Sequence, residues 1–271
     1  MTVQMFLDKM KNKLGAPHME QTVDNVICGD PAQELTGIAV TFMATAEVIR
    51  KAAAAGVNLI LTHEPTFYNH RDDERQLEGI TAFAAKKQLL AESGVCVARV
   101  HDGMHAVTPD LIYAGMEKEL GWARYACKDH PKVYTLPARS LRTLAGELKA
   151  ALAVDTVRIV GNADIECSRV GFLVGAYSLG SFEEGREADS IRMMQELSLD
   201  VLVCGELIEW TTCAYVRDAA ALGENRALAI VGHNRSEEAG MKHFADYIKP
   251  LLDSHSLQVL FIEAGDPFTY L

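Results

Sequence analysis

The sequence lacks several features, and each absence narrows what the chain does. No apolar run reaches the roughly 18 residues of a membrane span, so no membrane association through a helix is expected. No cluster of Lys and Arg occurs. With 26 basic and 37 acidic residues the formal net charge is −11, a poor match to the phosphate backbone of nucleic acid. The six cysteines (Cys28, Cys96, Cys127, Cys167, Cys204 and Cys213) form no CxxC pair and no zinc-finger spacing. In a chain of 271 residues they read as reduced core residues, which points to the cytoplasm. The opening MTVQMFLDKMKNKLG has no uninterrupted apolar stretch and reads as an amphipathic helix, not a signal peptide. There is no fixed short repeat and no low-complexity tract. The glycine-rich segment GAYSLGS (175–181) lacks the Lys-Ser or Lys-Thr ending of a Walker loop. It is either a cradle for an anionic substrate or, more commonly after a strand, an ordinary glycine turn.

What is present is a globular composition, 49% hydrophobic and 23% charged, able to bury a core. Apolar runs alternate with helical patterns. Strands are expected at 37–43, 57–62, 95–100, 156–161, 169–175, 200–204, 226–232 and 257–262. Helices are expected at 2–14, at 76–93, from a Thr45 cap to Ala55, from a Ser140 cap to about Val154, and at 183–198, 209–222 and 236–253. Thr108 and Pro109 read as a further helix start, with Thr as cap and Pro in the first position. This alternation gives an α/β fold with mostly parallel sheets. The segment 126–140, with two prolines, breaks the rhythm and is expected to be the boundary between a first domain (1–128) and a second (129–271).

The chemistry concentrates in three clusters, NLILTHEP, CVARVHDGMH and LAIVGHNRSE, each directly after an apolar run. In open α/β sheets ligands collect beyond the carboxyl ends of strands, where these clusters fall. Imidazole and carboxylate are ligands of divalent transition metals. His63, Glu64, His101, His105, His233 and Glu237 are more ligands than one tetrahedral ion needs, so a dinuclear centre is expected. His101 and His105 are four apart, and Gly103 between them permits a tight turn aiming both rings one way. Asp102 is either a ligand or an orienting partner for an imidazole. His233 and Glu237 are also four apart, and Glu238 reads as an acid satisfying the helix N-terminus. Each cluster alone is also compatible with a polar strand-end loop. His18, His130, His243 and His255 have no second ligand at a useful spacing. His70, in FYNHRDD, is close enough to His63 in sequence to serve as an acid or base. Glu206, in CGE, ends another strand and is a candidate cleft residue.

The three clusters, with TAEVIRKAAAAG before NLILTHEP, the segment DVLVCGELIEWTTCAYVRDAAALG, the GHNRSEE motif and the closing GDPFTYL, resemble the Nif-three-like family of dinuclear-metal proteins, also labelled GTP cyclohydrolase type 2 homologs. The resemblance spans nearly the whole chain. It implies two α/β domains of similar topology, a metal site in the interdomain cleft and a ring-like homohexamer. The family pattern is His-His-Pro after the strand, His with Asp four residues on, and Gly-His with Glu four residues beyond. Here Glu64 stands at the second His position and His105 at the Asp position. The count of four His and two carboxylates is unchanged by this exchange. Either the metal site persists in rearranged form, or one metal position is lost.

These readings imply two divalent transition metal ions per chain, with Zn, Fe, Mn, Co and Ni not distinguished. The function expected is that of a metal-dependent hydrolase that uses a metal-bridged hydroxide on a small substrate, nucleotide-like if the family label holds. The alternative is a metal-binding or partner-binding scaffold without turnover. Substrate and metal identity are not legible in the sequence.

Overall fold

The apolar runs fold as strands of two sheets, each in its own compact unit of the chain. The structure is a computed structural model and describes residues 1–180, 185–254 and 257–271. One unit comprises Met1–Gly115 with Gly240–Gly265, the other Met116–Ala239 with Asp266–Leu271.

The first unit begins with α1 (Val3–Leu14), capped by the Thr2 hydroxyl, which accepts from the Met5 amide. Its sheet contains β1 (Val26–Cys28), β2 (Gly37–Thr41), β3 (Leu59–Thr62), β4 (Cys96–Arg99) and the last strand of the chain, β11 (Gln258–Phe261). The order is β1-β4-β3-β2-β11, parallel throughout except for β1. Every residue of β2, β3 and β4 is buried, as parallel strands covered on both faces require. α2 (Ala46–Ala54) is capped by Thr45 as expected, its hydroxyl accepting from the Val48 amide. α3 (Thr81–Ser93) starts later than expected, after a separate 3-10 turn at Glu74–Leu77. Ile60, Val97, Val48, Phe67 and Phe83 share one apolar core.

Two short-range expectations are corrected in this unit. HDGMH forms a short helix, α4 (Asp102–Ala106), rather than a glycine turn. The next helix, α5 (Leu111–Leu120), begins two residues after Pro109. Its opening amides, Ile112 and Tyr113, donate to the Asp110 carboxylate, which takes the capping role expected of Thr108.

The second unit contains β5 (Ala126–Cys127), β6 (His130–Ser140), α6 (Leu141–Leu152), β7 (Arg158–Val160), β8 (Glu166–Leu173), α7 (Asp189–Glu196), β9 (Val201–Cys204), α8 (Ala214–Ala221) and β10 (Ala227–Ile230). α9 (His233–Ile248) follows. The strand order is β5-β6-β8-β9-β10-β7. The three strands β8, β9 and β10 are parallel, β6 and β7 flank them antiparallel, and β5 is antiparallel to β6. The segment 126–140, expected as a boundary, is therefore β5 and the long strand β6. Proline is tolerated in a sheet at irregularities in the ladder. Pro137 lies where the β6–β8 register shifts, between Thr135 and Arg139. Pro131 lies beside Cys127 and His130, where the β5–β6 register shifts.

The helix expected at 183–198 is α7, shorter at both ends; residues 183 and 184 lie outside the described residues. The helix expected at 209–222 opens with a π turn, Glu209–Cys213, before α8. α9 starts at His233, three residues earlier than expected, so His233 occupies its first turn and Glu237 lies one turn on.

Candidate metal-binding groups

In the first unit, β3 and β4 run parallel and end in register, with Thr62 opposite Arg99. The chain therefore leaves both at the carboxyl edge of the sheet. His63 follows β3 and is fully buried. Its Nδ1 lies 3.1 Å from the Val100 carbonyl, an acceptor only, so Nδ1 carries the proton. The His101 carbonyl accepts from the amides of Met104 and His105, and this turn puts His101 and His105 on one face. The His63 ring stacks on His101 with centroids 4.5 Å apart and meets His105 at 5.2 Å. One ligand atom from each of the three lies within 4.8 Å of the others.

Each ring is also held from behind. The Nδ1 of His101 is 2.9 Å from Asp102 Oδ1, and that of His105 is 2.9 Å from Asp110 Oδ2. An oxygen acceptor at every Nδ1 is the arrangement of metal-ligating histidines, in which Nε2 is the atom turned to the ion. Burial, then the neighbouring rings of His101 and His105, push the His63 pKa well below the ordinary 6.5, so it is neutral at pH 7. Asp102 orients an imidazole. Burial raises its carboxyl, but hydrogen bonds from the Val23 amide, His101 and the Thr22 hydroxyl outweigh this and hold it below the ordinary value.

The cluster is anchored by Asp24, whose carboxylate accepts from the amides of His101, Asp102 and Gly103 at 2.7, 2.9 and 2.8 Å. A Cβ at Gly103 would lie 2.9 Å from Asp24 Oδ2, so this glycine gives room rather than a special turn. Glu64 sits beside His101, its Oε1 3.7 Å from Nε2, while its Oε2 is 3.4 Å from Nη2 of the buried Arg99. His70 is exposed, with its ring 6.1 Å from that of His101. Partial burial and then Arg99 lower its pKa.

In the second unit, β8, β9 and β10 also end in register, at Leu173, Cys204 and Ile230. Just beyond them come Gly175, Glu206 and His233. His233 Nδ1 is 3.3 Å from Glu206 Oε1, and its Nε2 is 3.2 Å from Glu237 Oε2. Gly175 has φ +53°, and a Cβ there would overlap Glu237 Oε1 and come within 2.8 Å of His233 Nε2. Its amide donates to the buried Ser236 hydroxyl at 2.8 Å, which donates to the His233 carbonyl at 2.7 Å. The first glycine of GAYSLGS thus makes room for the His–Glu pair; Ser181 lies outside the described residues. Glu238 does not serve the helix end as expected. It pairs with Arg235 at 2.8 Å, one turn back along α9.

The expected residues thus gather as His63, Glu64, His101 and His105 in one unit and as His233 with Glu237 in the other. Among the remaining histidines His18 and His130 are exposed, His243 is half-buried, and His255 lies outside the described residues. All six cysteines are free, and burial pushes the Cys28 thiol up to about 11 and Cys96 to about 12, away from the thiolate a metal requires. Asp24, Arg99, Asp110 and the role of Gly175 do not follow from the spacing of the sequence. Only Arg99 carried a visible signal, as a lone charge inside the apolar run VCVARV. No described helix is long and apolar enough to cross a membrane.

Comparison with known proteins agrees with this architecture. A hypothetical protein of Staphylococcus aureus superposes with a TM-score of 0.73 at 16% identity, covering 100% of this chain and 99% of that one. A Bacillus cereus protein related to NIF3 gives a TM-score of 0.72 at 14% identity, again covering 100% and 99%. These share the fold. A GTP cyclohydrolase 1 type 2 homolog from Clostridium perfringens is 22% identical over 266 residues, 94% of each chain. The Duf34/NIF3 (NGG1p interacting factor 3) family matches residues 1–267, and with that match over nearly its whole length this chain belongs to the Duf34/NIF3 family.

Proposed function

We propose that this protein holds two divalent transition metal ions per chain as a dinuclear centre and uses them in hydrolysis of a small substrate. The ligands in this reading are His63, Glu64, His101, His105, His233 and Glu237. The observation that carries the reading is the set of three imidazoles whose Nδ1 atoms are each engaged by an oxygen acceptor. A merely structural histidine cluster has no need of an oxygen acceptor at every Nδ1. The all-nitrogen and carboxylate donor set suits Zn, Fe, Mn, Co or Ni.

Bound metal would supply a water acidified toward neutral pH and polarisation of the substrate bond. The chain's own residues do the rest. Val100, Asp102 and Asp110 hold the rings in place. His70, exposed and with a lowered pKa, is neutral at pH 7 and is the candidate to accept a proton beside His101. The substrate is nucleotide-like on the strength of the Clostridium relative's name. The homohexamer and the cytoplasmic setting belong to the same proposal, and the assembly is read directly as a mass by light scattering.

The deciding measurement is metal content per chain by plasma mass spectrometry on protein purified without a histidine tag. About two ions per chain supports the dinuclear reading, followed by a hydrolysis screen with nucleotides and phosphoesters. One or none means the Glu64 and His105 exchange has dismantled part of the centre. Full metal without turnover favours the scaffold reading.

A further inference from the structure

Arg99 is a buried cation, 1% exposed, at the end of an otherwise apolar strand. A guanidinium taken out of water needs compensating charge and a full set of acceptors. It has both. Nη2 is 3.4 Å from Glu64 Oε2, and Nη1 is 3.9 Å from Asp72 Oδ2. Nε donates to the His63 carbonyl at 3.0 Å, and Nη1 donates to the His70 carbonyl. One side chain therefore ties the start of the 63–72 loop to its end. A second buried cation, Lys86 on α3, donates to the Thr66 carbonyl at 2.5 Å in the middle of the same loop. Two cations and two carboxylates balance. The loop that carries His63, Glu64 and His70 is thus fixed at three of its main-chain carbonyls.

The consequence falls on Glu64. Its two oxygens are divided, Oε2 toward Arg99 and Oε1 3.7 Å from His101 Nε2. We propose that Arg99 is a positioning residue for Glu64: it holds Oε2 and so presents Oε1 beside the imidazole nitrogens as the carboxylate ligand of the group. This rests on the metal-binding reading above. Lysine would not substitute, because three separate nitrogens of the planar fork reach separate acceptors here.

The test is a cobalt(II) titration followed by visible absorption, which reports the donor set of the bound ion independently of turnover. It is run on the wild type, Arg99→Gln, Glu64→Gln and the double variant, with circular dichroism to establish folding. Each single variant is expected to bind cobalt about 10- to 100-fold more weakly and to show the same altered spectrum. The double variant is expected to match Glu64→Gln alone. Wild-type affinity and spectrum in Arg99→Gln would overturn the proposal, as would losses that multiply in the double variant. If Arg99→Gln does not fold, Arg99→Lys takes its place: a spectrum shifted toward that of Glu64→Gln supports the role, and an unchanged one overturns it. A wild type that binds no cobalt, zinc or manganese overturns the metal reading itself, a result distinct from the others.

Discussion

In the first unit three imidazoles face one another, each backed by an oxygen acceptor; in the second a single imidazole stands between two carboxylates. Both groups leave the carboxyl edge of a parallel strand set, yet they are finished by different means. The first is built by hydrogen bonds, from the remote Asp24 and the nearby Asp110 above all. The second is built by close packing, with Gly175 against the His–Glu pair and Ser236 between two backbones. A group held by hydrogen bonds responds to proton and charge changes. A group held by packing responds to volume.

The largest expected effect comes from removing a ligand. His101 is half-buried, so His101→Ala leaves the fold intact while metal content drops by about one ion per chain or more. Unchanged metal content in His101→Ala would remove the first group from the centre, and the same measurement on His233→Ala judges the second.

The next is steric and separates the two groups by their glycines. Gly175→Ala places a Cβ on Glu237 at a left-handed φ and is expected to cost roughly 2–4 kcal/mol, with metal weakened. Gly103→Ala meets only one carboxylate oxygen on a helical backbone, where alanine itself gains up to about 1 kcal/mol. Its net cost is expected to stay under about 2 kcal/mol. Urea denaturation of both variants decides; equal costs would erase the distinction between packing and hydrogen bonding.

The pH response belongs to the first group. His63 is neutral in the fold with a depressed pKa, while in the unfolded chain it titrates near its ordinary 6.5. The unfolded state therefore binds more protons below that value. Stability of the metal-free protein is full above pH 6.5 and falls as the pH drops below it. A melting temperature that is flat from pH 7.5 to about 5.5 would show that the buried imidazole carries no such penalty.

The smallest effect tests orientation alone. Asp110→Asn keeps an oxygen for the α5 amides but no longer offers His105 a charged acceptor. Metal affinity is expected to fall about tenfold, with stability changed by under about 1 kcal/mol. A loss restricted to stability would make Asp110 a cap and nothing more.

Much of the architecture was legible because it rests on local pattern. The buried runs of β2, β3, β4, β9 and β10 are short and apolar between turn residues, and Thr45 and Ser140 cap α2 and α6. The proposed ligands were legible because they are histidines and acids at strand ends. What supports them was not. Asp24 acts on residues 77 to 79 positions away, and no period or spacing in the chain encodes that pairing. Pro131 and Pro137 misled because proline breaks a strand only where its missing amide is needed, and both sit at register shifts. The helix expected to open at residue 236 starts instead at His233, at once after Gly232.

The engagement of Nδ1 on His63, His101 and His105 has a thermodynamic side. The hydrogen bonds at Nδ1 restrict the rotation of these rings, and burial holds His63 neutral. An ion arriving there would meet side chains that need little further ordering, so most of its coordination energy would remain as affinity rather than being consumed in folding. Where a zinc finger owes its fold to the ion, this unit has an apolar core of its own in Ile60, Val97, Val48, Phe67 and Phe83, so an ion held at the rings would exchange without dissolving the protein around it.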